Sequence, residues 1–201
     1  MSSFRCWHLG QTFGITAIIA YLHGFVGSQL WLYYEERLEE GTVDQDVGAS
    51  IRDGIKIVAK KGLPPLGMWP YDPTKLTESP TDLIDQAAKE HLVTSYHRLD
   101  GPDAYRDCLA QGFPFVLGIQ IFDNFQSEAV ARCGQVPMPQ PNENCLGGHC
   151  ISVFGYTENG DWICRNSWGT AWGQNGYFIL PKAYLETPEL ACDVWMINTS
   201  M

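Results

Sequence analysis

"GGHCISVFGYTENGDWICRNSWGTAWGQNGYF" (residues 147–178) packs two apolar, β-type runs around a turn. "CISVFGY" and "DWICRN" read as strands, and Asn159-Gly160 between them is a strong hairpin signal. The first strand carries His149 and the second carries Asn166. A two-residue turn at Asn159-Gly160 predicts that Asn166 faces Val153. Val153 shares a face with His149, because strand side chains alternate with period two. The two polar groups would then point the same way but stand four residues apart, about 13 Å at roughly 3.3 Å per residue. Direct contact therefore requires an asymmetric loop or a bulge.

Such a pair has a chemical use. A cysteine nucleophile works as its thiolate, which a neighbouring imidazolium stabilises. The imidazole needs one fixed orientation, and an amide oxygen on its second nitrogen provides it. The same ring then protonates the leaving amine. The full string "GGHC…RNSWGTAWGQNGYF" resembles the histidine and asparagine segments of papain-like cysteine peptidases. The resemblance implies that His149 is the general base, that Asn166 orients it, and that Trp168 shields their hydrogen bond from water. "LWLYYEER", "GASIRDGIK", "MWPYD", "CLAQGFPFVLGI" and "PKAYLETPELACDVWMI" resemble bacterial and viral-type members, so the likeness runs from Leu30 to Ile197. It implies an α+β, papain-like two-lobe fold. A helical lobe over residues 1–99 and an antiparallel β-rich lobe over 100–201 enclose a cleft. The implied activity is thiol-dependent hydrolysis of peptide bonds in a peptide or protein substrate, with no cofactor and no metal.

The first thirty residues depart from the family pattern. Cys6 has the sequence distance, 143 residues before His149 and 160 before Asn166, against roughly 130–150 in the family. Cys6-Trp7 also repeats a dipeptide common there. Yet the family's oxyanion-hole glutamine, about six residues upstream, would fall before Met1. Thr12 has the local pattern: "HLGQT" lines up with the "QLGSC" of bacterial members. A threonine hydroxyl is far harder to ionise than a thiol, so that alignment implies a weak or dead site. Gln11 read as a displaced oxyanion glutamine would put the nucleophile at Ala17. A shortened or defective start is the third reading. The nucleophile stays open between Cys6, the Thr12 position and neither.

Working outward, residues 7–23 read as an apolar helix ending near Gly24. "SQLWLYYEERLEEG" follows and closes at Gly41. "VGASIRDGIKIVAKKG" sets Ile51, Ile55 and Val58 on one helical face, with Lys60 and Lys61 at the cation-favouring end and Gly62 as the stop. "LPPLGMWPYDPTKLTESP" is an ordered proline-rich loop that should bury Trp69 and Tyr71. Thr81 should cap a helix over "TDLIDQAAKEHL", "VTSYHRLD" reads as a strand, and "DAYRDCLAQG" as a helix stopped by Gly112. "FPFVLGIQIF" and "GYFIL" complete the strands. Helices thus precede strands, with the boundary near residues 97–102.

Composition narrows the classes. The 201 residues carry a formal net charge of -10, which opposes binding to nucleic-acid phosphates. Phe13 to Tyr34 holds no Asp, Glu, Lys or Arg over 22 residues, approaching the ~20 that can span a bilayer. "HGFVGSQ" at its middle reads instead as a break between two buried elements, and no secretory signal is visible, which favours an intracellular setting. Seven cysteines leave at least one thiol free in a monomer. Two rival functions remain: a catalytically inactive papain-like protein that binds peptides, and a zinc site at Cys133, Cys145, His149 and Cys150. The zinc spacing matches no familiar pairing, and adjacent His149 and Cys150 would point to opposite faces of a strand.

Overall fold

The computed structural model describes the backbone of residues 5–6 and all of residues 10–198. The uncharged stretch is two helices. α1 (Gly10–His23) stops at Gly24, whose φ of 66° is left-handed. α2 (Gln29–Glu40) is capped by Ser28, whose hydroxyl accepts from the Trp31 N–H at 3.1 Å, and closed by Gly41 in the αL conformation. Among the described residues no helix is long and apolar enough to cross a membrane.

α3 (Ile51–Lys61) follows the short strand β2 (Ala49–Ser50) and buries Ile51, Ile55 and Val58 completely, as their spacing requires. Its stop at Gly62 is enforced by space as well as by φ. A Cβ there would lie 1.8 Å from the Ala88 carbonyl oxygen. α4 (Asp82–Ala88) is shorter than its sequence pattern, and Thr81 precedes it without a side-chain cap bond. In the proline-rich loop Trp69 is buried, and its carbonyl accepts from the Ser28 hydroxyl at 2.6 Å. Tyr71 corrects the expectation of burial: it is 46% exposed. It packs edge-on against Phe13 on the open side of α1, with ring centroids 5.6 Å apart.

Six of the strands form one antiparallel sheet in the order β3-β8-β4-β5-β6-β7. Its members are β3 (Ser95–Arg98), β4 (Phe115–Phe122), β5 (Cys145–Tyr156), β6 (Trp162–Arg165), β7 (Tyr177–Leu180) and β8 (Ala191–Asn198). β8 returns from the C-terminal end to lie between β3 and β4. Three short helices sit around the sheet: α5 (Pro102–Ala110), α6 (Glu128–Cys133) and α7 (Lys182–Glu186).

Two large apolar clusters result, beside a small one of Tyr33 and Ala49. One gathers Ile15, Ile18, Leu30, Trp31, Ile55 and Val58 from the helices, and the other Phe115, Leu117, Phe125, Trp162 and Phe178 around the sheet. α1 belongs to the first cluster and packs there against Val116 of β4 and Cys150 of β5. Gly14 meets β4 and β5 so closely that a Cβ would stand 2.9 Å from Val116, and its carbonyl accepts from the Ser152 hydroxyl at 3.0 Å. The start of α1 is thereby held against the strand that carries His149.

Candidate active site

The hairpin solves the distance problem raised by the sequence. The β5–β6 connection is not a two-residue turn. Tyr156 pairs with Trp162, and Thr157 to Asp161 form the loop, in which the Thr157 N–H donates to the Asp161 carbonyl at 2.8 Å. A register shift then falls between Val153 and Gly155, so Arg165 pairs with Ser152. The next step brings Asn166 level with Ile151 instead of Val153, two residues from His149 rather than four. That is about 7 Å along the strand, within reach of two side chains that lean together. His149 Nε2 lies 2.9 Å from Asn166 Oδ1.

This contact fixes the protonation geometry. The Ser167 backbone N–H donates to the same Asn166 oxygen at 2.8 Å. A backbone N–H can only donate, so the Asn166 atom facing it is the oxygen and not the amide nitrogen. The oxygen then needs a second donor, and His149 Nε2 must carry its hydrogen. In the neutral ring the lone pair is therefore on Nδ1, the nitrogen left for proton transfer. His149 and Asn166 are both buried, at 6% and 7% exposure. Burial pulls the His149 pKa below the ordinary imidazole value, and the Asn166 hydrogen bond partly restores it.

Aromatic rings surround the pair. Trp168 lies tilted at 34° over His149, with centroids 5.2 Å apart. Phe125 approaches His149 edge-on at 6.0 Å and also touches Trp168 and Trp172. Phe125 escaped the sequence reading. It lies in a short 3₁₀ turn, Asp123–Gln126, and no periodic pattern marks it.

A cavity of about 500 Å³ opens in front of His149. Gly148, His149 and Trp168 line its sheet side, and Gly10, Phe13 and Tyr71 its helix side. The backbone of Cys6 lies in β1 (Arg5–Cys6), pairs with Ala49, and runs beside β5. The Cys6 side chain lies outside the described residues. Thr12 sits in the first turn of α1 with 0% exposure and is not among the residues lining the His149 cavity. Gln11 turns its amide to Glu36 on α2, donating at 3.0 Å. Cys108, Cys150 and Cys164 are buried, and burial pushes the Cys108 thiol up to about 11.

The zinc reading is overturned among the described residues, where no three His, Cys, Asp or Glu side chains converge as a metal would need. Cys133 and Cys145 are exposed while Cys150 is buried, and Cys145 donates to Gln120 at 3.3 Å. His149 Nε2 is committed to Asn166.

The family model described as papain family cysteine protease matches residues 48–195. The chain belongs to that family. A peptidase C1-like protein of Acanthamoeba polyphaga mimivirus is 38% identical over 184 residues, covering 87% of this chain and 59% of that protein. Cysteine proteinase 3 of Entamoeba histolytica is 51% identical over 188 residues, covering 88% of this chain and 56% of that one. The chain thus spans less than two thirds of the length of these relatives. Among solved structures, xylellain, a cysteine protease from Xylella fastidiosa, matches with a TM-score of 0.88 at 32% identity, over 100% of this chain and 85% of that one. A Carica candamarcensis cysteine protease in complex with E-64 matches with a TM-score of 0.70 at 19% identity, over 100% of this chain and 94% of that chain, a likeness of fold. The fold is α+β and papain-like.

Proposed function

We propose that the chain hydrolyses peptide bonds by a thiol mechanism. The observation that carries this reading is the Asn166 oxygen shared between Ser167 N–H and His149 Nε2, which leaves Nδ1 as the base. In this reading Cys6 gives its proton to His149 Nδ1, and the thiolate sulfur attacks the substrate carbonyl carbon. The imidazolium returns the proton to the departing amine nitrogen as the C–N bond breaks. Water then attacks the thioester carbon, giving its proton to His149; the C–S bond breaks, the Cys6 sulfur takes that proton back, and the acid product departs. Asn166 holds the ring, and Trp168 keeps water off the shared hydrogen bond. The substrate is a peptide or protein entering the cavity bordered by Phe13, Tyr71 and Trp168. The division into a helical lobe, 1–99, and a β-rich lobe, 100–201, belongs to the same reading and is supported by one apolar cluster whose buried members all lie at Tyr105 or beyond.

A second reading, a peptide-binding protein without chemistry, draws on one observation. None of the six described cysteines lines the His149 cavity. An epoxide or vinyl-sulfone thiol probe separates the two. Mass spectrometry should locate one adduct on Cys6, absent in Cys6→Ala and slowed by about 10³-fold in His149→Ala. Folded protein whose Cys6 stays unmodified would establish the binding-only reading.

A further inference from the structure

One buried titratable group takes no part in the mechanism above. Glu36 on α2 has 0% exposure, and among the described residues its carboxyl accepts one side-chain hydrogen bond, from the Gln11 amide, which donates to Oε2 at 3.0 Å. The other oxygen, Glu36 Oε1, is buried without a donor. So is Gln11 Oε1, on the same partner. Two side chains already joined by one hydrogen bond thus each keep an unsatisfied acceptor. A single added proton would satisfy both.

The surroundings favour the neutral acid over the ion. Gly54 on α3 opens the space for the carboxyl, since a Cβ there would lie 2.0 Å from Glu36 Oε1. The charged groups acting on Glu36 are Arg37 and Glu40 on its own helix and Asp53 on α3; Gln11, from α1, is uncharged. Two of the three are acids. The cation among these described residues, Arg37, spends its donors on the carbonyls of Tyr33, Val43, Gln45 and Leu76. Burial, reinforced by Glu40 and Asp53, pushes the Glu36 pKa well up.

We propose that Glu36 is held as a neutral carboxylic acid whose Oε1–H donates to Gln11 Oε1, closing a two-bond acid–amide clamp that fixes the first turn of α1. That turn matters because Gly10 and Phe13, on either side of Gln11, line the His149 cavity. Glu36 is then a positioning residue. It touches no reacting atom but holds the helix wall that faces the base. The catalytic half of this inference rests on the proposed peptidase function; the ionisation half does not.

Urea unfolding of the full chain tests the ionisation half. Glu36→Gln keeps the shape and both hydrogen bonds but cannot titrate. A raised folded pKa means that stability is fully present below the unfolded carboxylate value of about 4.3 and is lost as pH rises through the folded value. The folding constant of Glu36→Gln relative to wild type should therefore grow by about tenfold per pH unit above about 4.3, then level off where Glu36 ionises. A ratio that stays flat or falls overturns the clamp. For positioning, epoxide labelling of Cys6 should slow in wild type relative to Glu36→Gln as pH crosses that levelling point. A constant labelling ratio overturns the positioning role. Failure of both proteins to label refutes the peptidase reading and the positioning role together, while the unfolding ratio still decides the clamp.

Discussion

The sheet wall and the helix wall of the cleft are built on different logic. On the sheet wall the working polar groups are mutually committed. Ser167 fixes the Asn166 oxygen, that oxygen fixes His149, and Trp168 and Phe125 hold the ring from two sides. On the helix wall the polar side chains near the cavity turn inward. Gln11 bonds Glu36, Thr12 is buried, and Gly10 and Phe13 are left to line the cavity with His149. One wall displays chemistry held in place by its own neighbours, while the other is a surface whose position depends on bonds made behind it. A substitution on the sheet wall should change rate directly. One behind the helix wall should change rate only by moving α1.

The sharpest break of this contrast is Asn166→Ala. It removes the acceptor that selects the ring tautomer. The rate of Cys6 labelling, and of peptide hydrolysis, should fall by about 10²-fold with KM nearly unchanged, since orientation of the base is felt in the transition state. Chemical denaturation should show the fold retained. A smaller effect is expected for Ser152→Ala, which severs the hydroxyl bond from β5 to the Gly14 carbonyl of α1. It should lower unfolding stability by about 1–2 kcal/mol, measured in urea, with only a several-fold loss of rate through α1. If the rate instead fell as far as in Asn166→Ala, the two walls would not be separable.

The mildest effect is in pH. The folded pKa of His149 is depressed, so its contribution to stability is present above the unfolded value of about 6.5 and lost as pH falls through the folded one. Thermal midpoints of wild type should drop as pH falls below about 6.5 by a component that disappears in His149→Gln. An identical acid slope in both proteins would remove burial as the cause.

The same contrast explains what the sequence disclosed. The sheet wall is written in rare residues at short range. "NSWG" places Asn166 and Trp168 within three positions, and the long Trp- and Gly-rich run marks the family. Helix α3 was legible because Ile51, Ile55 and Val58 keep strict spacing. The helix wall was not. Gln11, Glu36 and Gly54 are scattered over three helices, and only tertiary packing brings them together. Tyr71 misled because an aromatic ring in a proline-rich loop signals burial, whereas here it borders an opening. The hairpin misled in a useful way. Asn159-Gly160 is a turn signal, but the five-residue loop and the register shift near Phe154 depend on pairing energies that a dipeptide does not carry.

That register shift turns the hairpin into a ruler. The separation of His149 and Asn166 is set by how many residues each strand contributes between them, not by the attraction of the two side chains. The loop from Thr157 to Asp161 is thus free to vary in chemistry so long as its length is kept. The loss of one residue from β5 between His149 and Val153 would turn His149 to the opposite face of the sheet, away from Asn166. In an insertion and deletion scan, the residue count here should be guarded as strictly as the identity of His149.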